Sequence, residues 1–278
     1  MTDKQQLEGL EIKLLLEGVY EVSGYDFRSY APASLKRRLH KYLHDERLET
    51  IPDLQKKVLH DKSAMKRLLN TLTISVTEMF RDPAFFLAFR QQVVPWLRTY
   101  PFIRIWAAGC ATGEEVYSLA ILLQEEGIDK RVKIYATDMS EEALKSAEEG
   151  IYPIRLMKNY TTNYQKAGGV SSFSDYYTAK YDHAIFNKSL QKHITWAHHN
   201  LVTDASFNEF NVILCRNVLI YFDKQLCERV HKLLYDSLIH LGILCLGTKE
   251  SIRFTPYQEC YEAIDERQKV YKKVKSEE

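Results

Sequence analysis

What the chain lacks narrows it first. No run approaches the roughly 18 apolar residues of a membrane span, and Met1-Thr2-Asp3-Lys4-Gln5-Gln6 has none of the apolar character of a secretion signal. The expected setting is therefore the cytoplasm, without membrane insertion. Cysteine is sparse: Cys110, Cys215, Cys227, Cys245 and Cys260 are scattered, with no C-x-x-C pair and no histidine at ligand spacing. That predicts reduced thiols and no metal site. The paired His198 and His199 do not change this, because neighbours on a strand point to opposite faces and no third ligand is evident. A net charge of +1 over 278 residues gives no global pull toward nucleic acid, so any basic surface must be local. Neither G-x-G-x-x-G nor G-x-x-x-x-G-K-[ST] occurs, which removes the usual dinucleotide and nucleoside-triphosphate fingerprints.

What is present centres on residues 104 to 120. Arg104-Ile105-Trp106-Ala107-Ala108 reads as a buried strand and Gly109 to Gly113 as a tight turn. From Glu114 onward a helix is expected, with apolar positions at Val116, Leu119, Ala120 and Leu123. Gly109 and Gly113, having no Cβ, are expected to let a ligand reach the backbone at the helix start. Glu114 and Glu115 fill the first turn, where a phosphate would otherwise sit. A pair of charges about 4 Å apart at an effective dielectric near 20 interacts by roughly 4 kcal/mol, repulsive for phosphate and attractive for a cation. S-adenosylmethionine, with its sulfonium and ammonium, suits such a turn. The alternative, that both carboxylates merely complement the helix dipole, stays open at this point.

Residues 1 to about 80 read as helices only, with apolar stripes at Leu10, Leu14, Leu15 and Val19, at Leu35, Leu39, Tyr42 and Leu43, and at Met65, Leu68, Leu69 and Leu72. The second helix carries Arg37, His40, Lys41 and His44 at i, i+3, i+4 and i+7, flanked by Lys36 and Arg38. Such a stripe is either a solvated face or a seat for an acidic partner. A linker through Thr77 and Arg81 follows. Asp82 as N-cap and Pro83 then start a helix over 84–97. Val132 to Asp138 is a second strand whose terminal carboxylate suits ribose hydroxyls. Residues 150 to 190, rich in aromatic and polar residues, are expected to form short antiparallel strands. Asn211 to Cys215 reads as a central strand ending at Arg216 and Asn217, with Asp223 capping a helix to about Leu241 that Gly242 ends. Ile243 to Gly247 is one more buried strand, and a final strand pair follows Cys260.

Taken in order, Thr77-x-x-x-Arg81-Asp82-Pro83, Trp106 through Ser118, Ala136-Thr137-Asp138, Asn200-Leu201 and Cys215 through Phe222 resemble the CheR family of chemotaxis-receptor glutamate methyltransferases. The resemblance implies an α/β fold of the class I S-adenosylmethionine methyltransferase type, a Rossmann-like sheet with a small all-helical N-terminal domain and a β insertion. Its boundaries would be 1–80 for the helical domain with its linker, 81–278 for the methyltransferase domain, and 160–190 for the β subdomain. It implies S-adenosylmethionine as cofactor, S-adenosylhomocysteine as product, and the cytoplasmic helical region of membrane chemoreceptors as partner of a monomeric enzyme. Cofactor contacts would come from Ser75, Thr77, Arg81, Ala108, Gly109, Glu115, Asp138, Met139, Asn200, Leu201, Arg216 and Asn217. Arg81 and Tyr221 would serve catalysis, and Arg37, His40, Lys41 and His44 would dock the receptor. Many members have Asn where Ser75 stands, and Gly-His-Ser-Glu-Ser where this chain reads Gly247-Thr248-Lys249-Glu250-Ser251. A non-catalytic sensor of the same cofactor, or an O-methyltransferase for another carboxylate, would use many of the same residues.

Overall fold

The structure, a computed structural model, describes residues 3–73 and 77–275. The chain divides into two compact units: Met1–Ile74 with Tyr221–Arg229, and Ser75–Ile220 with Val230–Glu278.

The first unit is helical, with α1 (Asp3–Ser23), α2 (Pro32–Asp45), α3 (Ile51–His60) and α4 (Lys62–Leu72). Leu15, Val19, Leu39, Leu54, Leu68 and Leu72 are fully buried, each worth about 1.5–3 kcal/mol relative to exposure, whereas Leu10 and Leu14 of the first expected stripe are exposed, so only half of that stripe faces inward. Helix α3, which no stripe announced, is ten residues long and is set by its start. Thr50 Oγ1 accepts from the Asp53 N–H while Asp53 Oδ2 accepts from the Thr50 N–H, closing a capping box. Asp61 caps α4 through the Ser63 N–H at 2.8 Å. The distant segment Tyr221–Arg229 belongs with these helices. The Ala31 N–H donates to the Tyr221 carbonyl at 2.8 Å, the Asp223 N–H to the Ser29 carbonyl at 2.9 Å, and the Tyr30 and Phe222 rings meet edge to face at 5.1 Å.

The second unit is α/β, built on a seven-stranded sheet with a separate three-stranded one. It runs α5 (Pro83–Ala88), α6 (Val94–Leu97), β1 (Ile103–Ala108), α7 (Glu114–Glu125), β2 (Val132–Asp138), α8 (Glu141–Glu149), β3 (Ile151–Pro153), α9 (Met157–Lys166), β4 (Tyr177–Lys180), β5 (His183–Phe186), β6 (Ile194–His198), β7 (Phe210–Cys215), α10 (Lys224–Asp236, begun in the first unit), β8 (Leu238–Leu246), β9 (Tyr261–Asp265) and β10 (Val270–Lys273). The large sheet has the order β6-β2-β1-β7-β8-β10-β9. Its first five strands are parallel; β10 and β9 are antiparallel. The chain winds from β1 outward to β2 and β6, then returns to the other side of β1 with β7. That reversal opens a crevice at the carboxyl ends of β1 and β7.

Three expectations need correction. The helix begun at Pro83 contains a π turn over Phe89–Val93, where the Val94 N–H reaches back to the Phe89 carbonyl; the turn comes just before Pro95, which has no N–H to offer an α-helical ladder. Helix α10 stops at Asp236 rather than near Leu241. Residues 238 onward are strand, and Leu241 (φ 62°) with Gly242 lies in the irregularity between the pairs Phe210↔Leu238 and Val212↔Ile243. The insertion is a sheet of order β3-β5-β4 that starts at Ile151 and encloses a helix, α9. The stretch 157–166 falls inside the span expected to be short strands, but Met157, Tyr160 and Tyr164 recur at i, i+3 and i+7 and are buried on one face, which makes it a helix.

Candidate functional site

The parallel register gathers the sequence-selected residues at one sheet edge. Ala108 ends β1 opposite Thr137, and Asp138 ends β2 opposite His198. The Gly109 and Cys110 N–H groups both donate to the Thr137 carbonyl. Asp138 then ties the turn down: Oδ2 accepts from the Ala111 N–H at 2.8 Å and Oδ1 from the Ser140 N–H at 2.9 Å. Burial raises its pKa. With the N–H groups of Ala111, Ser140 and Met139 on its oxygens, a lone pair remains for a hydroxyl. Met139 follows, partly exposed. Asn200 and Leu201, both buried, lie just beyond β6, where Asn200 Oδ1 accepts from the Val202 N–H.

The glycines do a different job from the one expected. Gly109 and Gly113 have φ of 76° and 92°, and a Cβ would lie 2.6 Å from a Val218 methyl at the first and 2.8 Å from the Ala147 Cβ at the second. The space they leave is filled by the chain itself, so they are required for the turn's own packing.

The two carboxylates of α7 also differ from each other. Glu114 is buried, takes a hydrogen bond from the Thr112 hydroxyl at 2.7 Å, and is pushed by burial up to about 7. Glu115 faces the site and already has a cation: its Oε2 lies 2.5 Å from Arg216 Nη1. The picture of two free charges repelling phosphate is thus too simple. Glu115, Asp82 and Arg216 together carry one net negative charge, and Glu114 adds only a fraction.

Arg216 leaves β7 fully buried, stacks its guanidinium 3.9 Å over the Phe85 ring, and places Nη2 2.9 Å from Asp82. Asp82 therefore does not cap its helix by side chain as expected. It is left-handed (φ 57°), makes no capping bond, and spends its carboxylate on Arg216. Phe80 is left-handed too (φ 52°), with its N–H on the buried Ser118 hydroxyl at 2.8 Å. Helix α9 holds the same segment: Asn159 Nδ2 donates to Glu78 and Asn163 Nδ2 to the Met79 carbonyl. Arg81 sits between these anchors, partly exposed, and bonds to no described residue. Thr77 is likewise partly exposed. Ser75 lies outside the described residues.

Sequence reasoning missed Asp82 as an ion-pair partner and Glu250 altogether. Glu250 is buried and accepts N–H bonds from Gly247, Asn217, Val218 and Leu219. Its visible signal was a lone carboxylate three residues after a glycine that follows the apolar run Ile243–Leu246.

In the helical unit, the basic face of α2 is narrower than expected. Arg37, Lys41 and His44 are exposed, but His40 Nε2 meets Glu8 at 2.7 Å and Lys36 meets the same carboxylate at 2.5 Å. Arg38 does not flank the face: it is buried, donates to the Leu72 carbonyl and the Ser34 hydroxyl, and lies 4.7 Å over the Tyr221 ring. Tyr221 is thus grouped with α2, and its hydroxyl bonds to no described residue.

Residues 75–268 match the family described as CheR methyltransferase, SAM binding domain, and residues 10–73 match its all-alpha domain. A Pseudomonas putida protein with the provisional name methyltransferase Cher3 is 48% identical over 98% of this chain and all of its own length. A Listeria innocua protein named chemotaxis protein methyltransferase is 29% identical over 82% of this chain and 85% of its own. An uncharacterised 104.1 kDa protein of Rhodobacter capsulatus is 26% identical over 96% of this chain, which spans only 28% of it.

Proposed function

The chain belongs to the CheR methyltransferase family, and from that premise we propose that it methylates glutamate side chains of chemotaxis receptors, forming methyl esters in sensory adaptation. The observation that carries this reading is Arg81, a guanidinium with no bond to any described residue, held between anchored neighbours on a segment pinned to the cofactor helix.

The donor set fits S-adenosylmethionine. Asp138 keeps an acceptor direction for the ribose hydroxyls, Glu115 is an accessible carboxylate for an ammonium, and Ala108, Gly109, Met139, Asn200, Leu201 and Asn217 line the same sheet edge, with Thr77 on the linker. When bound, the cofactor supplies an electrophilic methyl on sulfur. A glutamate with a reference pKa of about 4.3 is already ionised at neutral pH, so it would accept that methyl without a general base and no residue of the chain need take a proton. The protein's contribution is alignment, which can reach roughly 7–11 kcal/mol in well-oriented systems. Arg81 steers the incoming carboxylate, and Tyr221 is the second proposed catalytic residue. The exposed charges of α2 at Arg37, Lys41 and His44 receive an acidic receptor helix, with His40 contributing only if it leaves Glu8.

The experiment is transfer of labelled methyl from S-adenosylmethionine to membranes that contain chemoreceptors. Label released as methanol by mild base is the expected result. Base-stable label would move the acceptor to another group, and saturable cofactor binding without any transfer would make the protein a sensor.

A further inference from the structure

Glu250 has no role among the residues just assigned, yet no other described carboxylate accepts four backbone N–H bonds. It follows β8, is 4% exposed, and has no ion-pair partner among the described residues. Oε1 accepts from Val218 at 2.8 Å and Leu219 at 2.7 Å; Oε2 accepts from Asn217 at 2.9 Å and Gly247 at 2.6 Å. Three successive N–H groups converging on one point form an anion cradle, the kind of concavity that elsewhere takes a phosphate. Here the chain's own carboxylate fills it. Hydrogen bonds to a charged acceptor are about twice as strong as neutral ones, and they hold Asn217 in a left-handed conformation (φ 62°) that surroundings must enforce.

The clamped turn is where the site is joined together. Arg216, the residue before it, holds Asp82 with one nitrogen and Glu115 with another, and Asp82 is the neighbour of Arg81. Gly247 shows how tight the cradle is. A Cβ there would lie 2.7 Å from Glu250 Oε2 and 2.9 Å from both the backbone and side-chain nitrogens of Asn217.

We propose that Glu250 is a positioning residue for methyl transfer: by filling the N–H cradle of residues 217–219 it fixes Arg216, and through Asp82 the placement of Arg81, without touching cofactor or substrate. This rests on the role given above to Arg81. A misplacement of about 1 Å can lower a rate roughly 100-fold while binding tolerates it better, which sets the expected pattern.

The test uses the full chain carrying Glu250→Gln, whose amide N–H groups would face N–H donors, and independently Gly247→Ala, which pushes a methyl into the cradle. Lys249→Ala, on the exposed neighbour, is the control. Calorimetric titration with S-adenosylhomocysteine counts competent sites and measures Kd, and methyl transfer to receptor membranes is then expressed per site. Expected is a loss of about 100-fold in transfer per site with Kd raised by about tenfold or less, in both variants but not in the control. A fall only in the number of sites, with transfer per site intact, would make Glu250 a residue of folding alone and overturn the proposal. If Arg81→Ala keeps wild-type transfer while Glu250→Gln loses it, the reading of Arg81 fails and the clamp on Arg216 stands.

Discussion

Glu114 and Asp138 show how much one side chain's surroundings decide. Burial raises the folded pKa of Glu114 to about 7, above the roughly 4.3 of an unfolded glutamate. An acid raised in the folded state binds more protons there than in the unfolded chain between those two values, so stability falls as pH rises through that window. The contribution is up to about 4 kcal/mol, fully present below pH 4 and gone above about 7. Glu114→Gln, which keeps the Thr112 contact without the charge, should flatten the fall in thermal midpoint between pH 5 and 8 and leave the variant more stable at pH 8. Equal slopes for both proteins would show that another group titrates there. Asp138→Ala should weaken S-adenosylhomocysteine binding by about 1–3 kcal/mol by removing a ribose-hydroxyl acceptor, read by calorimetry on the folded fraction. Unchanged affinity would place the ribose elsewhere. Both residues were legible in sequence because each stands at a fixed place: the first turn after the glycines, or the tip of the second strand. Glu250 was not, since what gives it meaning is four N–H groups, three of them more than 30 positions away.

At the scale of elements, the helices with clean stripes, α2 and α4, were readable, and those ruled by context were not. Helix α9 is hidden in the span expected to be strand because the aromatic residues beyond it dominate the composition of the insertion, and the end of α10 differs from expectation because a glycine in a bulge resembles a glycine at a helix end. The face of α2 was read correctly in spacing, yet spacing alone could not reveal that Glu8 on α1 neutralises its middle. What stays outward is Arg37, Lys41 and His44. Reversing two of these, Arg37→Glu with Lys41→Glu, should raise KM for receptor membranes by about 5- to 30-fold, from exposed pairs worth roughly 0.2–1 kcal/mol each turned into repulsions. Cofactor affinity should not move. Wild-type activity should also decline with salt as screening shortens to about 8 Å near physiological ionic strength. A KM indifferent to both changes would move receptor docking to the β3-β5-β4 insertion.

Across the whole molecule, the order of strands and helices in the large sheet followed from apolar runs and turn residues, because parallel strands buried on both faces announce themselves. The assignment of Tyr221–Arg229 to the helical unit could not be read that way. It depends on the backbone bonds to Ser29 and Ala31 and the Tyr30–Phe222 ring contact, pairings nearly two hundred residues apart that leave no local pattern. A fragment covering 75–278 would strand this segment without its partners. We expect it to show rapid hydrogen exchange over Tyr221–Arg229 and early proteolytic cleavage there, both suppressed in the full chain. Protection that survives removal of residues 1–74 would mean the segment is stable without the helices. The backbone passes between the two units at three places, so the helical unit is not one heritable block. A chimaera that exchanges residues 1–74 between family members inherits a foreign ring opposite Phe222, and only a graft that moves the nine-residue return segment as well transplants a whole module.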